Sequence, residues 1–193
     1  MSILTKEARY QPGDLLVRGS RTESPTRSPP SHYRQGLSHH PDPPGTMSGQ
    51  PAQPIIDTHV LLLDGEKILL SQRGGPYGYR RWHLPSGKLD QGETLTAGAA
   101  RELFEETGVT TDPGHLELRH VVHHRQEDGS ERIGFFFVAT EWTGTPVNKE
   151  PEKCLALQWF ATHDLPEDII EYPYAGLHGC LGQAGSLTLH GWQ

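Results

Sequence analysis

Residues 87–109 read GKLDQGETLTAGAARELFEETGV, and the fold turns on this stretch. Thr94 has the side-chain oxygen of an N-cap and Gly108 the backbone freedom of a C′ residue, so a helix is predicted over residues 95–107. Within it Glu102, Glu105 and Glu106 stand at i, i+3 and i+4. At about 100° per residue, that spacing gathers three carboxylates within an arc of about 100°. Ala97, Ala100, Leu103, Phe104 and Thr107 occupy the opposite side, a face suited to burial against a sheet.

Adjacent like charges repel, and a surface helix ordinarily interleaves Lys or Arg at these spacings. Arg101 is the only cation of the predicted helix. A hard divalent cation neutralises such a set, because Mg²⁺ and Mn²⁺ prefer carboxylate oxygens. A bare RELFEE string would read as a solvated acidic helix. The fixed intervals from Gly87 through Glu93, Arg101-Glu102 and Glu105-Glu106 to Gly108 set this one apart.

The segment resembles the Nudix box, GX5EX7REUXEEXGU with U an aliphatic residue. Gly87 opens it, Glu93 follows after five residues, and Arg101-Glu102 after seven more. Leu103 and Val109 fill the two U positions, and no defined position departs from the pattern. The resemblance extends more loosely over about residues 55–175. It implies the Nudix α/β/α sandwich, with a mixed β-sheet and the box as a loop–helix–loop. It also implies Mg²⁺- or Mn²⁺-dependent hydrolysis of a nucleoside diphosphate linked to another moiety. Carried over by position, it makes Glu102, Glu105, Glu106 and the Gly87 carbonyl metal ligands. Glu93 and Arg101 would stand behind them, with Arg101 holding a carboxylate bidentately. The family commonly adds one carboxylate from a loop beyond the helix. In EWTGTPVNKEPEKC, Glu150 is the best-matched position and Glu152 the alternative. The general base is Glu102 or Glu150. Glu127, Asp128 and Glu131 sit at an expected hairpin tip and read as solvated.

The 193 residues suffice for one domain with a real core and some excess. That excess is residues 1–54, rich in Pro, Ser, Gly, Arg and His without apolar periodicity, as in SPTRSPPSHYR. Such a stretch buries too little apolar surface to offset its ordering entropy, so it reads as a disordered or loosely attached tail before a domain over residues 55–193. Six Lys/Arg and four acids precede Met47, a charge of +2, which leaves −9 of the total −7 on the remainder. A body this acidic is a poor non-specific partner for nucleic acid and suits a small phosphorylated substrate screened by metal ions. Cys154 and Cys180, the only cysteines, form neither a disulfide framework nor a metal-ligand set. No membrane span and no signal peptide is read from the apolar runs, so a cytoplasmic location is expected. Dimerisation is common in the family and stands as an expectation.

Outside the box, PIIDTHVLLLDGEKILLSQR reads as two strands joined near Asp64-Gly65. LELRHVVHHR and ERIGFFFVATEW read as a second hairpin across QEDGS, and LALQWF as a further strand. DLPEDIIEYPYAGLHGCL suggests a turn and a helix broken near Pro173. Arg73, at a strand end, is a candidate phosphate clamp. Trp82, Tyr77 and Tyr79 are candidates to stack a nucleobase, with a core anchor as the alternative for Trp82. Asn148 is a candidate to read a base or sugar hydroxyl. A zinc site at His120, His123 or His124 lacks a partner at a zinc spacing.

Markers of the pyridine-nucleotide, ADP-ribose and diadenosine-polyphosphate types are missing after the box. By elimination the chain reads as a MutT-like nucleoside triphosphate pyrophosphohydrolase, including oxidised-nucleotide sanitation. The alternatives are hydrolysis of ADP-ribose, a nucleotide sugar or another biosynthetic diphosphate, and a module that binds without cleaving.

Overall fold

A buried apolar strand needs cover on both faces, and VLLL at residues 60–63 receives it. In the computed structural model, Val60 and Leu62 pack into one core with Ala99, Leu103 and Val109. Leu61 and Leu63 pack into another with Phe136, Tyr172, Leu177 and Cys180. Period-two alternation thus sends one strand's side chains to two helices on opposite sides, which is the α/β/α sandwich implied by the resemblance.

The structure describes residues 7–9, 51–182 and 186–192. In chain order the strands are β1 Glu7–Arg9, β2 Ile55–Leu61, β3 Leu63–Asp64, β4 Lys67–Arg73, β5 Trp82–His83, β6 Ser86–Lys88, β7 Leu116–Arg125, β8 Glu131–Ala139, β9 Glu141–Thr143, β10 Cys154–Ala161 and β11 Ser186–His190. Helix α1 spans Leu95–Thr107 and α2 Glu171–Leu181, with a 3-10 turn at Pro113–His115. A five-stranded mixed sheet runs β11-β7-β8-β2-β6, and a second sheet joins β10, β4, β3 and β5. By its contacts the chain divides into two units, residues 1–16 with 54–193, and residues 17–53. The Pro/Ser-rich tail expected over residues 1–54 lies outside the described residues, apart from β1 and residues 51–54. The sequence reading assigns no element there, whereas β1 pairs antiparallel with β9.

Several elements differ from expectation. The first hairpin turn does fall near Asp64-Gly65, at Gly65-Glu66 between β3 and β4. The longer strand β2 pairs not with β4 but with β6 and, in parallel, with β8. Proline 173 does not break a helix: α2 begins at Glu171, so Pro173 lies in the first turn, where backbone N–H groups have no helical acceptor anyway. Strand β11 is not anticipated; it adds to β7 in parallel. The second hairpin, β7 with β8 across residues 126–130, forms as expected.

Candidate active site

The box helix has the expected caps. Thr94 accepts a hydrogen bond from the Ala97 N–H at 3.2 Å, and Gly108, at φ 70°, donates its N–H to Phe104 at 2.8 Å. The buried face is Gly98, Ala99, Leu103 and Thr107. Phe104 lies on the arc assigned to burial but is 51% exposed.

Arg101 organises the acidic side. Its Nε and Nη2 grip both oxygens of Glu93 at 2.8 and 3.0 Å, Nη1 donates to Glu102 at 2.7 Å and to Glu105 at 3.2 Å, and Nη2 also reaches the Lys88 carbonyl. The hydrogen bonds from Arg101 hold the Glu93 carboxyl down to about 2. The glycine requirement at position 87 is steric, since the Glu102 carboxylate occupies the space where a Cβ would stand.

The loop after β9 brings in Glu150. Two carbonyls at the C-terminal end of α1 have no helical donor, and the loop satisfies them: Lys149 N–H donates to Glu106 and Val147 N–H to Thr107. Asn148 braces the same loop, accepting from the Glu150 N–H at 3.0 Å and donating to the Cys154 carbonyl at 2.7 Å.

Glu102, Glu106 and Glu150 line one cleft of about 360 Å³ with Gly87, Arg73, Lys88 and Lys153. Glu105 does not line it; its side chain is 50% exposed on the Arg101 side. Burial pushes Glu106 up to about 8, reinforced by Glu102 and Glu150, while the Ser86 N–H pulls the other way. Burial likewise raises Glu102 against the pull of Arg101. This is an oxygen-only set of the kind that fits a hard divalent cation. The carboxylates do not converge on one point: among the described residues no three acidic, His or Cys side chains are grouped to hold an ion. Glu102 is held by Arg101, and Glu150 by Lys153 at 2.6 Å.

Two of the candidate substrate contacts are engaged elsewhere, Trp82 as the core anchor that was its other reading. Trp82 is 8% exposed and packs edge-on against Phe160 in the core, so it offers no stacking surface to the cleft. Asn148 has both ends of its amide committed to its own loop. Arg73 does line the cleft, its Nε donating to the Tyr77 carbonyl at 3.0 Å and its guanidinium 5.6 Å from the Tyr77 ring.

A further part of the cleft lining, around Asp57, is not anticipated from the sequence. There Asp57, on β2, is buried yet hydrogen-bonded by the Tyr172 hydroxyl at 2.5 Å, Arg132 Nη1 at 2.7 Å and His59 Nε2 at 3.3 Å. Burial pushes the Asp57 carboxyl up, but these three donors outweigh it and leave it below its ordinary value. His83 lies beside them; burial, then Arg73, lowers it to about 3, so it is neutral at neutral pH. One signal was legible: Asp57, Thr58 and His59 are polar residues inside the otherwise apolar run PIIDTHVLLL.

Comparison with known proteins bears on this arrangement. The NUDIX domain family model matches residues 54–176. The chain belongs to the Nudix hydrolase family. It is similar to the oxidized purine nucleoside triphosphate hydrolase of Mus musculus, 33% identical over 115 residues, which cover 56% of this chain and 67% of the mouse protein. It is also similar to the 8-oxo-dGDP phosphatase of Danio rerio, 31% identical over 124 residues; these cover 61% of this chain and 36% of the fish protein. The chain thus spans little more than a third of that relative. Among solved structures, the MutT NUDIX hydrolase of Burkholderia pseudomallei superposes with a TM-score of 0.61 at 29% identity, over 66% of this chain and 98% of that one.

Proposed function

We propose that this Nudix hydrolase is a divalent-cation-dependent nucleoside triphosphate pyrophosphohydrolase that acts on oxidised purine nucleotides. The observation that carries the reading is the meeting of Glu102, Glu106 and Glu150 with Arg73 in one cleft. The names of the mouse and zebrafish relatives support the substrate class.

Glu102, Glu106, Glu150 and the Gly87 carbonyl would hold Mg²⁺ or Mn²⁺, with Glu105 beside them. When bound, the cation offsets phosphate charge and lowers the pKa of a water. The chain's own residues do the rest. Arg101 fixes the rotamers of Glu93, Glu102 and Glu105, so the carboxylates need little reorganisation. Glu102 or Glu150 takes the proton of the attacking water, and Arg73 clamps a phosphate. The ends of α1 and the Asn148 loop keep Glu150 over the cleft. The substrate is a free nucleotide rather than a nucleic acid, given the charge of −9 beyond Met47. A cytoplasmic location and a homodimer complete the proposal. Among the described residues no helix is long and apolar enough to cross a membrane.

One observation favours a second reading, cleavage of a diphosphate with a larger second moiety. A groove of about 940 Å³, with Arg81, His124 and Arg125 among its lining, shares Tyr77, Ile170 and Tyr172 with the cleft. Product analysis separates the two. Canonical and oxidised dNTPs, dNDPs, ADP-ribose and nucleotide sugars are incubated with Mg²⁺ or Mn²⁺ and the products resolved by chromatography. Monophosphate plus pyrophosphate from oxidised purine triphosphates is the expected result. Turnover confined to ADP-ribose or nucleotide sugars would establish the second reading and overturn the first.

A further inference from the structure

We infer that His190, on the last strand β11, is a positioning residue for the cleft: it holds His124 against Tyr172 and so steadies the cleft lining formed by Tyr172, Asp57 and Arg132. The inference rests on the proposed reading of the cleft as a nucleotide site. Strand β11 lies beyond the segment that matches the family, which ends at residue 176.

Only one face of β11 is engaged. Leu187 and Leu189 are 61% and 62% exposed, so they bury little apolar surface. Thr188 and His190 alternate with them and carry the side-chain bonds to β7. Thr188 Oγ1 lies 2.9 Å from His120 Nε2, and His190 Nδ1 lies 2.9 Å from His124 Nδ1. His124 Nδ1 is also 3.3 Å from the His190 carbonyl. A carbonyl oxygen only accepts, so His124 Nδ1 carries the proton and His190 Nδ1 accepts it. That bond fixes both the tautomer and the ring orientation of His124.

The oriented His124 ring lies flat on Tyr172, with 4.7 Å between centroids and 16° between planes. Phe136 and His59 meet Tyr172 edge to face. The Tyr172 hydroxyl donates to Asp57, which also accepts from Arg132 Nη1 at 2.7 Å. Tyr172, Asp57 and Arg132 all line the cleft, and His190 does not. An effect of His190 on a cleft ligand therefore passes through His124 and Tyr172. Loss of one neutral hydrogen bond corresponds to about a 2- to 12-fold change in an equilibrium constant.

The test compares wild type with His190→Leu and His190→Asn, each alone and combined with Tyr172→Phe. KM and kcat are measured on the best substrate of the nucleotide panel, and urea unfolding is followed in parallel. His190→Leu removes the acceptor and should raise KM by about 2- to 12-fold with little change in kcat. Asn carries an acceptor oxygen as many bonds from Cα as the His Nδ1, so His190→Asn should restore most of the wild-type KM. In the Tyr172→Phe background the link to Asp57 is already cut, and His190→Leu should change KM little. A merely structural role for His190 would lower stability and leave KM at its wild-type value, which overturns the inference. An equally large rise in KM with and without Tyr172→Phe overturns it too. The unfolding measurements need no turnover: the effects of His190→Leu and Tyr172→Phe on the folding equilibrium constant should be non-additive, and additive effects overturn the inference. No turnover of any nucleotide overturns the proposed function, and the unfolding cycle then decides whether His190 acts through Tyr172.

Discussion

Tyr172→Phe removes one oxygen atom and tests whether the cleft floor is built around an ionised Asp57. The ring is retained, so its packing over Phe136 and His124 persists and no cavity opens. What is lost is a 2.5 Å hydrogen bond to a buried carboxylate. Hydrogen bonds to charged groups contribute roughly 1.5–3 kcal/mol, and the phenylalanine recovers a little by sparing a hydroxyl its desolvation. The expected loss is about 2 kcal/mol, equivalent to about 4–8 °C in Tm for a domain of this size. Its pH dependence has a definite sign. Burial raises the Asp57 carboxyl and the donors His59, Tyr172 and Arg132 lower it, with a net fall below 3.8. The stabilisation is therefore present above the unfolded value and is lost as pH falls through the lower folded one. Urea unfolding of both proteins from about pH 3 to pH 7 checks this. The gap should be full at pH 7 and shrink at the acid end. No gap at pH 7, or a gap that grows as pH falls, would refute the account of Asp57.

The other predictions concern the box. In chelator-treated protein, wild-type stability should fall between pH 4.5 and about 8, because burial raises Glu106 to about 8 and its protonated form is the stable one. Urea unfolding of Glu106→Gln across that range should show no such decline. Glu93→Gln should lower kcat at retained folding, since Arg101 loses its bidentate anchor, and steady-state kinetics beside circular dichroism would separate the two effects. The Glu93 pairing itself, with a carboxyl held near 2, should persist until pH falls below about 4 and weaken toward 2. Leu103→Ala, at a site with 0% exposure, should destabilise by about 2–5 kcal/mol in thermal unfolding.

How far the site was legible in the chain depends on how local its signals are. The limits of α1 and both of its caps follow from residues within one segment, because Thr94 and Gly108 act on neighbours three or four residues away. Glu102 and Glu106 share a face by helical spacing alone, and the structure brings both to the cleft. Phe104 shows where periodicity stops: it lies on the arc assigned to burial, yet nothing covers more than half of it. Trp82 and Asn148 could be placed near the site from sequence but not oriented, since an aromatic beside a loop can face the core or the solvent. The Asp57 floor required tertiary knowledge. Besides His59, its partners come from β8 and α2, and the Tyr172 bond spans 115 residues. Only the polar interruption of an apolar strand hinted at it.

The most direct test of the central claim compares wild type with Glu150→Gln, which removes the charge of the cleft carboxylate that lies outside the box helix. Mn²⁺ binding is followed by electron paramagnetic resonance, and turnover is measured on the best substrate from the nucleotide panel. Weakened Mn²⁺ binding with turnover reduced by orders of magnitude, in a protein that remains folded, is the predicted result. Wild-type binding and wild-type turnover would contradict the placement of the hydrolytic centre among Glu102, Glu106 and Glu150.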